Sequence, residues 1–388
     1  MRLLDRLRRP KAVPVADARL GELLFHRSDE VMRPSIERES VWEFRVGMWL
    51  DHVLGPGMTF LNVGANVGYF AVWAGQIVGE SGRVHALEPD PDNFSLLTRN
   101  LEAAGMSSFV FAHQRAAGRR TEPMELFCSP ENPGDHRVYL DGDREQVSHT
   151  VQCWQIDEAV GAGWLDMPSL DVVLVDAQGW DHQVLQGMAA VIDSERPVIV
   201  CELMAEVNRG TGERPADILT YWQERNYRVG VLDMGAAPGQ LPAAEILRVL
   251  DHPTVPYLNL ELWPQEKEFL PGAIPSNGFS RPEPLAGSRG SRSWLTSDRG
   301  DIVVRGGRGD ELRVTFGLAP PPGFDASVTI GETERIIGET THFEHRIRIG
   351  AEGYERLPFS SASPGRHIGA DPRPLRCAVL SPVAERIS

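Results

Sequence analysis

A glycine-containing segment, Asn62-Val63-Gly64-Ala65-Asn66-Val67-Gly68, joins a short apolar run to a helical pattern. Gly64 allows a tight turn there, and Gly68 allows a helix to pack closely on a strand. A dinucleotide site would have a third glycine at position 66, so that the backbone could approach a pyrophosphate. The side chain of Asn66 therefore favours a cofactor that has no pyrophosphate.

Glu88 ends the next strand pattern, 24 residues after Gly64. An acidic side chain at this place accepts hydrogen bonds from ribose hydroxyls. Together, the glycine segment and Glu88 predict a site for a nucleoside-containing cofactor, and a glycine turn without a ligand is the alternative.

Three further polar residues are candidates for chemistry on a substrate. His136 lies in a polar loop, and an ordinary histidine pKa of about 6.5 suits a base at neutral pH; the alternative is a loop histidine bonded to Asp135 or to water. Asp176 and Glu202 each end a strand pattern, at the edge where open α/β sheets bind ligands. The alternatives are a helix cap for Asp176 and a structural ion pair for Glu202.

Metal ligands and disulfides are not indicated. Asp176, Asp181 and Glu202 carry the oxygen ligands that Mg²⁺ prefers, but no ligand spacing requires an ion, so no metal site is expected. The cysteines form no CxxC pair and are scattered, which suits the cytoplasm: Cys128, Cys153, Cys201 and Cys377.

The elements that must position these residues alternate between strand and helix. The apolar patterns predict strands over 59–63, 83–88, 108–113, 170–176, 197–203, 227–232 and 257–262. They predict helices over 67–78, 91–104, 181–192 and 215–225, with two β-like runs around a polar loop in 123–153. Such alternation predicts right-handed βαβ crossovers and a doubly wound, mostly parallel sheet.

The last hundred residues have a different character. Short β-like runs between glycines and prolines predict an antiparallel β-sandwich or jelly roll. A segment rich in proline and glycine precedes them and is interpreted as a linker. The predicted organisation is a catalytic domain over 1–264 that begins with a helical extension, a linker over 265–287, and an accessory domain over 288–388.

Several motifs occur in a characteristic order: FLNVGANVGYF (60–70), VHALEPDP (84–91), DAQGWDHQVLQG (176–187), PVIVCE (197–202) and Asn259-Leu260. In this order they resemble the FkbM family of S-adenosylmethionine-dependent methyltransferases, over roughly residues 20–264. NPGDHR (132–137) and the pair Ile156-Asp157 fit one subgroup of that family.

The resemblance implies a class I methyltransferase sheet. It also implies methyl transfer to a hydroxyl of a sugar, a glycolipid or a glycosylated natural product. A sulfonium methyl is already activated, so an enzyme of this kind mainly positions the acceptor oxygen in line with it, and a base assists. His136 is the first candidate for that base, and Asp176 is expected to lie next to the transferred methyl group.

The cofactor contacts implied by the resemblance come from Asn62, Gly64, Ala65, Asn66, Gly68 and Asp176, with Glu88 holding the ribose. The family usually has aspartate where this chain has Asn62, near the methionine part of the cofactor. Asparagine still accepts a hydrogen bond there, but without the negative charge that suits an ammonium group.

Composition restricts the partners. The net charge of −15 argues against nucleic acid, and no apolar run has the roughly 18–20 residues of a membrane span. A cytoplasmic enzyme with a small-molecule or glycan acceptor is expected, and the sequence does not fix its oligomeric state. An N- or carboxyl-directed methyltransferase and a non-catalytic glycan-binding protein remain alternatives.

Overall fold

The computed structural model of the chain describes residues 12–17, 19–39, 41–129, 132–139, 147–205, 212–232, 238–239, 241–270, 272–275, 283–284, 291–295, 299–306, 309–321, 324–330, 332–350, 354–362 and 376–387. The chain divides into two compact units. The first comprises residues 1–38, 45–233 and 242–267, and the second comprises 39–44, 234–241 and 268–388.

The first unit combines strands and helices. Its strands are β1 (Ala12–Asp17), β2 (Gly21–His26), β3 (Thr59–Val63), β4 (Arg83–Leu87), β5 (Val110–His113), β6 (Ala116–Ala117), β7 (Pro123–Cys128), β8 (Val147–Trp154), β9 (Val172–Val175), β10 (Val198–Met204), β11 (Tyr227–Val231) and β12 (Tyr257–Pro264). Its helices are α1 (Met32–Glu39), α2 (Phe44–Val53), α3 (Tyr69–Val78), α4 (Pro91–Ala103), α5 (Ile156–Gly161), α6 (Asp181–Gln186), α7 (Ala189–Glu195), α8 (Pro215–Glu224) and α9 (Ala243–Leu250).

A seven-stranded sheet with the order β11-β12-β10-β9-β3-β4-β5 forms the centre of this unit. Only β12 runs antiparallel to its neighbours within this sheet. The chain moves outward from β3 to β5 and then returns to β9 on the other side of β3. The topological switch point therefore lies between β3 and β9, and the predicted doubly wound, Rossmann-like sheet is confirmed.

Helix α3 lies behind the switch point and is buried on nearly all sides, as expected of a helix in the core of an α/β domain. Helix α4 begins as predicted, with Asp90 as the N-cap and Pro91 in the first turn. The Asp90 carboxylate accepts the N–H groups of Asp92 and Asn93 at 2.9 Å. None of the helices in the described part of the chain is long and apolar enough to cross a membrane.

The helix predicted over 181–192 is two helices, α6 and α7. The break occurs at Gly187, whose carbonyl accepts the Asp157 N–H at 3.0 Å instead of a continuing helical bond. The Asp157 carboxylate then accepts the N–H groups of Ala190 and Val191 at 2.9 and 3.0 Å, so it caps the second helix. A side chain at Gly187 would also collide with the backbone of Gly118.

The N-terminal extension is not purely helical. It opens with an antiparallel hairpin, β1–β2, and continues into α1 and α2. Alternating apolar residues, with Val15, Leu23 and Phe25 buried, explain the strands. Residues 1–11 lie outside the described residues.

The second unit is built from β-strands: β13 (Gly272–Pro275), β14 (Glu283–Pro284), β15 (Ser291–Trp294), β16 (Arg299–Arg305), β17 (Glu311–Ala319), β18 (Ala326–Ile330), β19 (Thr333–Ile337), β20 (Thr341–Arg348), β21 (Tyr354–Ser360) and β22 (Ala378–Arg386). They form two five-stranded antiparallel sheets, β13-β16-β21-β18-β19 and β14-β15-β22-β17-β20. Both sheets contribute to one core, for example through Ile302 and Leu312. The all-β character matches the sequence prediction, and the segment predicted as a linker contributes β13 and β14.

Two stacked histidines lie on one face of β4 and β5. His85 Nδ1 is 3.1 Å from His113 Nε2, and His85 Nε2 is 3.2 Å from the carbonyl oxygen of Asp166. Burial lowers the pKa of both imidazoles, that of His113 to about 4. The fold therefore holds this pair unprotonated at neutral pH.

Replacing His113→Gln is expected to reduce the loss of stability in acid. The unfolded chain protonates this histidine near pH 6.5 and the folded chain only near pH 4, so the free energy of unfolding decreases as the pH falls through that window. Urea unfolding at about pH 7.5 and about pH 5 measures this decrease. The exposed His252→Gln is the control and should show the same decrease in the free energy of unfolding as wild type. A decrease in His113→Gln as large as that of wild type would contradict the interpretation.

Candidate active site

A cavity of about 620 Å³, counting its open mouth, lies at the switch point. The wall is formed by the ends of β3, β4 and β9, by residues 115–117, and by loop 132–139 between β7 and β8. The sequence-predicted residues on this wall are Gly64, Asn66, Glu88, His136 and Asp176.

The turn after β3 is bonded to β4 and touches the end of β9. The N–H groups of Gly64 and Ala65 donate to the carbonyl oxygen of Leu87 at 3.0 and 2.9 Å. Gly64 has φ +78°, and a Cβ there would collide with the carbonyl oxygen of Asp176. Only glycine satisfies both conditions.

Gly68 has φ +91°, and a Cβ there would lie 2.6 Å from Leu97 Cδ1. Gly68 therefore allows α4 to pack closely against it. The sequence had predicted close packing on a strand at this glycine.

Glu88 fixes this turn and also lines the cavity. Its Oε2 accepts the Asn66 N–H at 2.8 Å, and its Oε1 accepts the Asp90 N–H at 2.9 Å. Asn66 adopts φ 51°, a left-handed conformation in which its N–H meets the carboxylate. Burial raises the pKa of Glu88 to about 7, although the two amides oppose this shift.

Asp176 lies on the wall opposite Glu88, at the end of β9. The Gln178 amide, at Nε2, donates to Asp176 Oδ1 at 2.7 Å. Burial raises the pKa of Asp176 to about 6, so this carboxylate is a group that can exchange a proton near neutral pH.

Asp181 is buried behind the same loop and serves the backbone. Its Oδ2 accepts the N–H groups of Ala177 and Gly179 at 3.2 and 3.3 Å, and its Oδ1 accepts the Glu202 N–H at 2.9 Å. Burial, and secondly the charge of Asp176, raises its pKa to about 7. Three backbone N–H groups thus bond to this one carboxylate, which holds the loop after β9 against β10.

Four of the residues assigned to the site from sequence lie off this wall in the described structure: Asn62, Ala65, Gly68 and Glu202. Asn62 is 1% exposed within β3, and its Oδ1 has no hydrogen-bond partner among the described residues. Ala65 is buried beneath the turn. Glu202 lies on β10, where its backbone N–H donates to Asp181 Oδ1.

His136 reaches the cavity, but its hydrogen bonds do not suit a base. Its Nδ1 accepts the Ser129 N–H at 3.1 Å, so the neutral ring carries its proton on Nε2. That nitrogen is 3.9 Å from Asp90 Oδ2. Burial lowers the pKa of His136 and favours the neutral ring. In this arrangement the Nε2 of His136 carries a proton and is not a free acceptor.

Asp90, Cys128 and His136 converge closely enough to enclose an ion. A histidine that binds a metal through Nε2 donates its Nδ1 proton to an acceptor, whereas the Ser129 N–H occupies Nδ1 here. One Asp90 oxygen is bound by amides of α4, and burial raises the pKa of the Cys128 thiol. These donors do not fit a metal site.

Loop 132–139, which carries the sequence-predicted His136, is anchored by two long-range hydrogen bonds. The Asn93 amide, at Nδ2, donates to the carbonyl oxygen of Pro133 at 2.9 Å, and Tyr139 Oη donates to the carbonyl oxygen of Gln178 at 2.8 Å. The loop is thereby tied to α4 at one end and to the loop after β9 at the other. NPGDHR marked the loop as a motif, but nothing in the sequence indicated these long-range bonds.

Residues 62–229 match the family model of the methyltransferase FkbM domain. The matched segment lies within the first unit, and it confirms the resemblance to the FkbM family that the motifs predicted.

Two curated relatives and one solved structure are similar to parts of this chain. Hexuronic acid methyltransferase AglP of Haloferax volcanii is 31% identical over 139 residues, which cover 36% of this chain and 53% of the relative. Methyltransferase 1 of Beauveria bassiana is 26% identical over 203 residues, which cover 48% of this chain and 79% of the relative. The structure of methyltransferase FkbM from Methylobacillus flagellatus aligns with a TM-score of 0.34 and 15% identity, covering 56% of this chain and 50% of that one. The chain thus spans about half the length of the AglP relative.

Replacing Asp181→Asn is expected to lower the free energy of unfolding by about 1–3 kcal/mol, because an NH₂ group would then face backbone N–H donors. Urea unfolding of the variant measures the change. The exposed Asp251→Asn is the matched control. If Asp181→Asn were as stable as the control, the backbone-holding role would be wrong.

Proposed function

We propose that this chain is an S-adenosylmethionine-dependent O-methyltransferase of the cytoplasm that acts on a hydroxyl of a sugar, a glycolipid or a glycosylated natural product. The observation that carries the proposal is the Glu88 carboxylate, held by the Asn66 N–H at the switch point of the sheet. The free thiols of the chain are in keeping with the proposed compartment.

Buried polar atoms of the wall residues fit such a cofactor. Asn66 Oδ1, Arg115 Nε and Trp180 Nε1 have no hydrogen-bond partner among the described residues. Buried groups of this kind are costly unless they are paired. A ligand that offers both donors and acceptors would satisfy them, and the Glu88 and Asp176 carboxylates favour one with positive charge.

In this function Glu88 would hold the ribose, and the Gly64–Asn66 turn would lie along the cofactor. When bound, S-adenosylmethionine supplies an activated methyl group. Asp176 would accept the proton of the acceptor hydroxyl on the oxygen that Gln178 leaves free. His136, with its proton on Nε2, would donate a hydrogen bond to orient the acceptor.

Calorimetric titration tests the cofactor. The protein should bind S-adenosylmethionine and S-adenosylhomocysteine and should not bind NAD. Glu88→Gln should weaken both at least about tenfold, because one oxygen that serves an amide or a ribose hydroxyl is lost. The exposed Glu224→Gln makes the same change of charge and should leave both affinities unchanged. Binding of NAD alone would overturn the assignment.

Binding of S-adenosylmethionine should weaken as the pH falls from about 8 to about 6. Over this range Glu88, with a pKa of about 7, and Asp176, with a pKa of about 6, take up protons, and the cavity loses negative charge. S-adenosylhomocysteine lacks the sulfonium charge and should respond less. Parallel pH profiles for the two ligands would contradict this electrostatic account.

Transfer of a labelled methyl group to a panel of neutral and uronic-acid glycans tests the acceptor. Asp176→Asn should abolish transfer while cofactor binding persists. A carboxyl-directed reaction is the second candidate, favoured by the name of the hexuronic acid relative. Mild alkali distinguishes the two, because a methyl ester is hydrolysed and a methyl ether is not.

A further inference from the structure

The loop after β9 has an unusual backbone where it borders the cavity. Gln178 has φ 52°, and Gly179 follows with φ 90°. A left-handed conformation is unfavourable for glutamine, and such strain persists only where the surroundings fix it.

Three contacts fix this loop. Tyr139 Oη donates to the carbonyl oxygen of Gln178 at 2.8 Å. Asp181 Oδ2 accepts the N–H groups on either side, from Ala177 and Gly179. The peptide units around Gln178 are therefore bonded on both sides to groups outside the loop.

Close packing at Gly179 completes the arrangement. A Cβ there would lie 2.7 Å from Tyr139 Oη and 2.8 Å from Met204 Sδ. Glycine lets Tyr139 approach closely enough to hold the preceding carbonyl.

The side chain of Gln178 benefits from this conformation. It turns back along the chain, and its Nε2 donates to Asp176 Oδ1 at 2.7 Å. Both residues line the cavity. One oxygen of the Asp176 carboxylate is thereby occupied by an amide that carries no charge.

We propose that Gln178 is a positioning residue, held by Tyr139, that orients the Asp176 carboxylate and keeps it ionised for work on the acceptor. This role rests on the proposed function. A neutral donor is suited to it because a second carboxylate would have to share a proton with Asp176. An apolar side chain would leave the ionised form with the backbone N–H of Gln178 alone.

The ratio of the affinities for S-adenosylmethionine and S-adenosylhomocysteine reports the negative charge of the cavity without an acceptor. Glu88, Asp135 and Asp181 also act on this charge and are present in every variant. The ratio of a variant relative to wild type at the same pH therefore reports the charge of Asp176. The two ligands differ at the sulfonium, so the ratio increases with negative charge in the cavity. Calorimetric titration at about pH 7 and about pH 9 gives it for each variant.

Gln178→Met keeps the length of the side chain and removes the donor. The ratio should fall at least about threefold at pH 7 and return to within about twofold of wild type at pH 9, where Asp176 is ionised again. Gln178→Glu should resemble wild type at pH 7, with one proton shared between two carboxylates, and exceed it at pH 9. Tyr139→Phe should follow Gln178→Met with a smaller change.

Gln223→Met on the exposed face of α8 is the matched control and should retain the wild-type ratio. A purely structural effect would weaken both ligands equally at every pH and would lower the thermal midpoint. A wild-type ratio in Gln178→Met at both pH values, or equal weakening of both ligands, would overturn the proposal. Failure of the wild-type protein to bind either ligand would overturn the proposed function and this role together.

Discussion

The close approach of Gly64 to the carbonyl oxygen of Asp176 is the constraint on which the rest of the site depends. It brings the turn after β3 against the end of β9 and so joins the two halves of the sheet at their ligand-binding edge. Because there is no room for a side chain at Gly64, the backbone itself forms the floor of the cavity. The hydrogen bonds from this turn to Leu87 then extend the same rigid edge to β4.

In the part of the chain that the structure describes, amides donate the hydrogen bonds to three buried carboxylates around this edge. Glu88 is bonded to two backbone N–H groups, Asp181 to three, and Asp176 to the Gln178 side chain. Burial raises the pKa values of all three groups, and the amide hydrogen bonds oppose this shift only in part. Under the proposed function, a cationic cofactor would compensate the negative charge of these groups.

Much of the sheet could be predicted from the sequence, because hydrophobic periodicity and the glycines and prolines between elements are local signals. The strands at β3, β4 and β9, the Asp90 cap and the importance of Gly64 were all visible there. The break at Gly187 was not, because it depends on Asp157, thirty residues earlier in the chain. The base role for His136 followed from residue type, whereas the Ser129 amide that argues against it is a tertiary detail. Gln178 went unnoticed for the same reason, since its partner Tyr139 is distant in sequence.

The loop between β7 and β8 belongs to a small sheet of its own, β6-β8-β7, with a separate core around Leu126 and Cys153. It adds wall to the cavity without contributing a strand to the central sheet. Substitutions in this loop can accumulate while the turn at Gly64 and the bonds of Glu88 stay intact. Under the proposed function, changes in this hairpin would alter the wall that faces the acceptor without altering the order of strands in the central sheet.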